Sequence, residues 1–319
     1  MRIVANSSLR RAKRQKNDEF YTQLSDIEKE LKHYKEYFKD QVVYCNCDDP
    51  RVSKFFHYFS YNFERLGLKK LITTCYKSQQ IDLFSLGDSE RAIYLEYTGD
   101  RNGNRVPDLE EIDTMPLKGD GDFRSEECIG LLKQADIVVT NPPFSLFREY
   151  VDQLIEYGKR FIIIGNMNAI TYKEIFKLIK ENKVWLGYTH PSVFLQPDGS
   201  EKTFGNICWF TNLPTKKRTE SLILYERYYE HESEYPHYDN YDAIEVGRVA
   251  NIPMDYAGVM GVPITFLDKH NPEQFEIIDI NPHFFTIVEQ GLSKPGQLEI
   301  EGRKDPYARI LIRNKKVQK

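Results

Sequence analysis

Two consecutive prolines, Pro142 and Pro143, follow the apolar run Ile137-Val-Val139, separated from it only by Thr140 and Asn141. A proline ring fixes φ and removes a backbone donor, so a strand that reaches this point has to stop. The run predicts a short buried strand that ends at Asn141 in a rigid turn. That turn presents a carboxamide, two bare carbonyls and the ring of Phe144.

Strands and helices alternate on both sides of the turn. Ile27, Leu31, Tyr34 and Phe38 fall at spacings of three and four, which predicts an amphipathic helix over Ile27–Phe38. Gln41–Cys45 reads as a strand, Asn46–Pro50 as a turn, Val52–Leu66 as an aromatic-rich helix stopping near Gly67, and Lys70–Cys75 as a second strand. Ala92–Tyr97 with the turn Gly99–Gly103 predicts a hairpin insertion. Gly119–Phe123 is a turn, and a helix from Ser125 to Gln134 leads into the strand before the prolines. Downstream come a helix over Leu146–Tyr157, a buried strand over Arg160–Gly165, a helix over Tyr172–Glu181, and strands over Val184–Gly187 and Asn206–Thr211.

Helices of about ten residues between strands predict a doubly wound, mostly parallel α/β sheet. The last two strands leave no room for a helix between them and are expected to pair as an antiparallel terminal hairpin, with 188–205 as a loop over one end of the sheet. Beyond residue 213 the chain turns tyrosine-rich, with short strand-like runs at Gly261–Leu267, Phe275–Ile278 and Arg309–Arg313. The expected division is a basic arm over 1–17, the α/β domain over 18–213, and a smaller irregular C-terminal lobe over 214–319.

Composition narrows the class. Forty per cent hydrophobic and 13% aromatic residues supply a real core and argue against disorder. No apolar run approaches the roughly 18 residues that span a bilayer, and no apolar signal segment opens the sequence, so a cytoplasmic protein is expected. Five cysteines without a repeated C-x-x-C spacing and seven scattered histidines favour neither a disulfide framework nor a metal site. The net charge of −4 hides an uneven distribution: Arg2, Arg10, Arg11, Lys13, Arg14 and Lys16 occupy residues 1–16 with no acidic residue among them. Such a segment reads as a solvated tail or as an arm that contacts phosphates. Lys202, Lys216, Lys217 and Arg218 read in the same two ways.

Ligands of a doubly wound sheet sit beyond the carboxyl ends of its strands, where strand order reverses. Turns at 46–50, 76–80, 119–123 and 141–144 meet that condition. In the last of them, Asn141 Oδ1 and the Pro142 carbonyl can accept the two hydrogens of an exocyclic amino group while Phe144 stacks on the ring that bears it. The first turn has no G-x-G-x-x-G, which disfavours a pyrophosphate and suits a nucleoside cofactor without one. Asp48 and Asp49 can receive an ammonium group or ribose hydroxyls there, or can cap the following helix. Asp122 can accept from an adenine amino group, and Phe123 can stack on the purine.

Taken in order, Asp18–Gln23, Val43–Val52, Gly119–Arg124 and Val138–Tyr150 resemble the motifs of the EcoRI-type adenine-specific DNA methyltransferases. Gly258–Leu267 and Asn271–Glu276 extend the likeness over nearly the whole chain. The resemblance implies a Rossmann-like methyltransferase domain, a C-terminal target-recognition region, and methyl transfer from S-adenosylmethionine to N6 of an adenine flipped out of duplex DNA. It implies catalytic roles for Asn141, Pro142 and Phe144. Tyr21, Thr22, Asn46, Asp48, Asp49, Asp122 and Phe123 would surround the cofactor.

A monomer of bacterial or phage origin is expected, protecting DNA from a separate cognate restriction endonuclease, with GAATTC as a candidate target and no metal. Two features depart from the broader methyltransferase pattern: the glycine-rich loop after the first strand is absent, and no acidic residue follows the second strand in Cys75–Ser78. The competing readings are a methyltransferase for an RNA base or a protein glutamine, and a DNA-binding relative without catalysis. Glutamine-directed enzymes typically carry Tyr where Phe144 stands, and an intact Asn141–Phe144 argues against lost catalysis.

Overall fold

The computed structural model describes residues 20–47, 53–74, 92–104, 107–108, 110–196, 199–281, 283, 285, 296–305 and 307–318. The basic arm expected over 1–17, together with Asp48 and Asp49, lies outside the described residues. The chain divides into two compact units, Met1–Ala169 with Gly187–Leu213, and Ile170–Leu186 with Pro214–Lys319.

Seven strands of the first unit share one sheet: β1 (Val42–Asn46), β2 (Lys70–Thr74), β3 (Ile93–Tyr97), β4 (Ile112–Pro116), β5 (Ile137–Thr140), β6 (Arg160–Asn166) and β7 (Ile207–Thr211). Their order is β4-β3-β2-β1-β5-β6-β7. The central four, β2, β1, β5 and β6, run parallel. The expected hairpin, β3–β4, adds to one side antiparallel, and β7 adds to the other. Strand order reverses between β1, whose successor lies on one side, and β5, whose successor lies on the other. The switch point therefore falls between the carboxyl ends of β1 and β5.

Every residue of β1, β5 and β7 is buried, as strands covered on both faces require. Alternate side chains sort the two faces. Val43, Cys45, Ile137, Val139, Ile162, Ile164 and Trp209 share a core with Ile27 and Leu31 of helix α1 (Leu24–Leu31) and Phe55 and Phe59 of α2 (Lys54–Tyr61). On the opposite face Phe210 meets Phe147, the first residue of a helix over Phe147–Glu156, with ring centroids 5.0 Å apart.

Three local expectations change. The helix expected to run to Phe38 stops at Leu31, where His33 N bonds Glu30 O (3.2 Å) and Tyr34 N bonds Leu31 O (3.0 Å) in a tighter turn. That turn still delivers Tyr34 and Phe38 to the core. The aromatic helix breaks at Asn62, whose Nδ2 donates to Tyr58 O (2.7 Å), and resumes as α3 (Phe63–Leu66) before Gly67 ends it at φ 64°. Residues 188–205 are not a plain loop: Val193–Leu195 and Glu201–Thr203 form a hairpin, and Tyr21–Thr22 adds to it as a third strand, Tyr21 opposite Leu195 and Thr22 opposite Phe194.

β7 pairs antiparallel with β6, Trp209 opposite Ile164, and on its other edge it takes the neighbour that the sequence predicts. From the run expected beside β7, Gly187 N donates to Trp209 O (2.8 Å). A side chain at Gly187 would collide with Glu30 and Trp209. Glu30 is fully buried and accepts from Tyr34 OH (2.9 Å), Tyr188 N (2.8 Å), Thr189 N (2.7 Å) and Thr189 Oγ1 (2.7 Å).

The remaining described helices are α4 (Glu126–Gln134), N-capped by Ser125, then α5 (Phe147–Glu156), and α6 (Lys173–Lys180) in the second unit. That unit is more regular than its composition suggests. Ile244–Glu245, β8 (Val259–Pro263), β9 (Phe275–Asn281) and β10 (Arg309–Asn314) build a sheet in which β10 is antiparallel to both β8 and β9. Ile264–Lys269, expected as strand, is a 3-10 helix. Lys180 Nζ of α6 donates to Ile278 O (2.8 Å). Arg309 joins Glu245 (2.8 Å) and Asp305 (3.1 Å) in a mostly buried ion-pair network. Lys217 pairs with Asp268 (3.6 Å), and Arg218 lies over Trp185 while donating to Asn182 Oδ1 (2.6 Å). These two basic side chains are thus held by intramolecular partners.

Burial, reinforced by the nearby Arg218 charge, lowers the pKa of His270 from 6.5 to about 4. The folded protein keeps this imidazole neutral while the unfolded chain protonates it near pH 6.5. Its contribution to stability is present above that pH and is lost as the pH falls towards 4, on the order of 2–3 kcal/mol. Urea melts at pH 7 and pH 5 should show the drop in wild type and a smaller one in His270→Gln. Equal drops in the two proteins would remove His270 as the cause.

Candidate active site

The site is built where β1 and β5 end. The parallel register pairs Val43 with Ile137 and Tyr44 with Val138. Beyond it, Thr140 Oγ1 donates to the Asn46 carbonyl, a side-chain bond that ties the two strand ends together. The next residue on β5 is Asn141, which is buried. Its Nδ2 donates to the carbonyl of Phe20 (2.5 Å), while its Oδ1 is buried without a hydrogen-bond partner among the described residues. The opposite rotation of the amide would set Oδ1 against the Phe20 carbonyl, two acceptors face to face, so the surroundings fix which atom turns to a ligand.

Phe20 precedes Tyr21–Thr22, which explains why that short strand and the 193–203 hairpin belong to the site. The Phe144 ring lies 6.4 Å from the Phe20 ring at an interplanar angle of 28°. Phe204 meets Phe20 edge-on at 4.9 Å and Phe144 at 6.3 Å. Lys202 Nζ sits 4.9 Å from the centre of the Phe20 ring and 5.3 Å from that of Phe204, within cation–π range. Through Phe20, Asn141 is thus tied to an aromatic cluster with one cation over it.

The expected cofactor residues fall into three groups. Tyr21 and Thr22 are joined to Asn141 through Phe20, and Thr22 Oγ1 is buried without a partner among the described residues. Asn46, buried at the end of β1, accepts at Oδ1 from Tyr150 OH. Phe123 is buried, its ring edge-on to Tyr150 at 5.0 Å, and its carbonyl accepts from Gln153 Nε2 (3.1 Å). Asp122 stands apart: Arg124 grips its carboxylate through Nε (2.9 Å) and a terminal nitrogen (2.6 Å), and Arg124 also pairs with Glu149 (2.6 Å). These carboxylates hold the Arg124 pKa above its ordinary value.

The missing glycine has a counterpart. Cys47, directly after β1, adopts φ 75°, in the left-handed region that side chains other than glycine rarely enter. The turn keeps the backbone that a glycine would give, with the strain left in place. Phe204, Tyr150 and Thr140 are the neighbours that motif reading passes over. Phe204 was hidden by the expected loop, although Pro197-Asp-Gly199 between alternating flanks is a hairpin signal. Tyr150 reads only as one of the core positions of a helix.

A parallel-centred sheet with Asn-Pro-Pro-Phe at the carboxyl end of a switch-point strand, its amide oxygen buried and unpartnered among the described residues, is the arrangement that the resemblance to enzymes methylating an amino group on a planar ring implies. The chain belongs, more narrowly, to the EcoRI adenine-specific methyltransferase family, whose model matches residues 8–315. It is 51% identical over 336 residues to the Type II methyltransferase M.EcoRI of Escherichia coli, covering 100% of this chain and 99% of that one. The Type II methyltransferase M.MpnI of Mycoplasma pneumoniae is 42% identical over 295 residues, covering 86% of each chain. M.MgeORF184P of Mycoplasma genitalium is 38% identical over 334 residues, covering 96% of this chain and 98% of its own. No solved structure matches the chain. Among the described residues, no helix is long and apolar enough to cross a membrane.

Proposed function

We propose that this adenine-specific methyltransferase acts on an adenine extruded from duplex DNA, with Asn141, Pro142 and Phe144 holding the base. The observation that carries this reading is the Asn141 amide, its donor consumed by Phe20 and its acceptor buried and unused. A buried polar atom without a partner costs roughly 1–3 kcal/mol, which a ligand donor at that point recovers. The Asn141 oxygen and the Pro142 carbonyl receive the two amino hydrogens and draw the nitrogen lone pair out of conjugation with the ring. The proton leaves the nitrogen after transfer, so no strong base is needed beforehand. An adenine inside a duplex cannot reach a buried amide, so the base has to be flipped out.

The methyl donor in this reading is S-adenosylmethionine, which supplies an electrophilic methyl group on a sulfonium. The residues present fit it. Thr22 Oγ1 and Thr73 Oγ1, the latter on β2, are buried and unpartnered among the described residues, and Phe123 offers a ring. None of these groups is built for a phosphate, which agrees with the missing glycine-rich loop. Asp122, held by Arg124, serves as a brace for the 119–123 turn rather than as an open acceptor.

The second unit and the 193–203 hairpin are assigned to target recognition, the protein acting as a monomer in the bacterial cytoplasm that protects DNA against a cognate endonuclease. Transfer of tritiated methyl from labelled cofactor into duplexes with and without GAATTC, followed by mapping of the modified base, tests the whole reading. Label in a base other than adenine, or none at all, would sink it. Phe144→Ala should weaken productive binding by roughly 1–3 kcal/mol, the worth of one base–aromatic stack, with cofactor affinity unchanged. DNA affinity and single-turnover rate measured together check this, and two unaltered values would remove Phe144 from the base pocket.

A further inference from the structure

We infer that Tyr150 is a positioning residue for the methyl donor, holding the Asn46 carboxamide so that its amino group faces the cofactor. The inference rests on the cofactor reading above and deepens it by naming what fixes the grip. Both oxygens of Asn46 are occupied: the backbone carbonyl accepts from Thr140 Oγ1, and Oδ1 accepts from Tyr150 OH. What Asn46 can offer a ligand is therefore Nδ2, which has no protein partner among the described residues. A carboxamide N–H₂ recognises acceptors, and the acceptors of a nucleoside-type methyl donor are its carboxylate, its ribose hydroxyls and its ring nitrogens.

Tyr150 is suited to the task. It is fully buried, so its hydroxyl has no water to turn to, and burial drives its pKa well upward, keeping the phenol a neutral donor. It lies on α5, the helix that follows directly from the turn carrying Asn141, so acceptor and donor sides of the site share one rigid element. Gln153, three residues on and on the same helix face, bonds the Phe123 carbonyl, while the Phe123 ring packs edge-on against Tyr150. One helix face thus grips two expected cofactor residues that come from separate turns. Without the phenol O–H, nothing among the described residues distinguishes the two rotations of the Asn46 amide. The wrong rotation points an oxygen at the ligand's oxygens.

The test uses the full chain and S-adenosylmethionine itself. Tyr150→Phe keeps the ring and its packing, and it should weaken cofactor binding roughly tenfold, the size of one buried hydrogen bond. The KM for cofactor rises accordingly, while kcat at saturating cofactor and the affinity for duplex DNA stay near wild type. In an Asn46→Ala background Tyr150→Phe should bring no further loss in cofactor affinity, because the residue acts through Asn46. Asn46→Asp retains an acceptor for Tyr150 and removes the N–H₂, and should lose cofactor binding in a folded protein, which keeps the test decisive even if Tyr150→Phe folds poorly. Wild-type cofactor affinity in Tyr150→Phe or in Asn46→Asp, or losses that multiply in the double variant, overturn the inference alone. A wild-type protein that takes up no S-adenosylmethionine overturns the cofactor reading together with it.

Discussion

Asn141→Ala is expected to lower single-turnover methyl transfer by about two to three orders of magnitude, the loss seen when one preorganised polar contact to a reacting group is removed. The effect is large because the amide is set before substrate arrives. Phe20 O holds Nδ2, and the prolines hold the backbone. Stability should fall only by about 1 kcal/mol, the worth of one hydrogen bond, because alanine leaves β5 and its register untouched. Asn141→Asp separates orientation from charge, since its carboxylate keeps the volume but faces the Phe20 carbonyl without a donor. Asn141→Ala should melt near the wild-type temperature with little activity, whereas Asn141→Asp, equally inactive, should melt lower because its buried carboxylate has no partner. Turnover within tenfold of wild type in Asn141→Ala would falsify the assignment of Oδ1 to the amino group.

The second large effect is on folding. Glu30→Ala removes one carboxylate and strands four donors: Tyr34 OH, Tyr188 N, Thr189 N and Thr189 Oγ1. A buried donor left unmade costs about 1–3 kcal/mol, and water reaches some of these, so a total of roughly 4–6 kcal/mol is expected. Set against a typical stability of about 5–15 kcal/mol, that is enough to lower the melting temperature by more than about 10 °C or to leave little soluble protein. Glu30→Gln keeps the shape but turns an N–H₂ towards N–H groups, so its loss should be intermediate. Calorimetric melts of the three proteins order the effects. A Glu30→Ala protein that melts with wild type would mean the carboxylate is incidental.

The strand run Ile137–Thr140 and the turn at Asn141 were legible because apolar periodicity and two prolines act locally. Of the hairpin insertion, the strand within Ala92–Tyr97 was legible for the same reason, while its partner Ile112–Pro116 was not. What escaped was set by partners far along the chain. The three-stranded sheet of residues 21–22, 193–195 and 201–203 depends on pairing across more than 170 residues, as Tyr21 opposite Leu195 shows. No local signal in Phe20–Thr22 announces it. The early end of α1 likewise follows from tertiary demand: Tyr34 and Phe38 keep the helical spacing of core residues, yet reach the core through a turn and a 3-10 segment. In the site, Asn141, Phe144 and Asn46 could be picked by residue type and position. Asp122 could be picked in the same way, but only geometry shows that Arg124 claims it. The left-handed backbone at Cys47 has no sequence signature, because cysteine is not the residue that such a conformation selects.

The bond between Asn141 and Phe20 joins residues 121 apart in sequence, and those from Tyr188 and Thr189 to Glu30 span 158 and 159. Contacts of that range make folding slow, because a long loop has to close before they contribute anything. A ribosome adds roughly 5–20 residues per second, so Phe20 waits about 10–40 s for the 193–203 hairpin that pairs with its strand. Over that interval the nascent chain can form β1, β2 and their helices, but not the aromatic cluster to which Asn141 is tied. The amide that receives the substrate acquires its direction late in the life of the new chain.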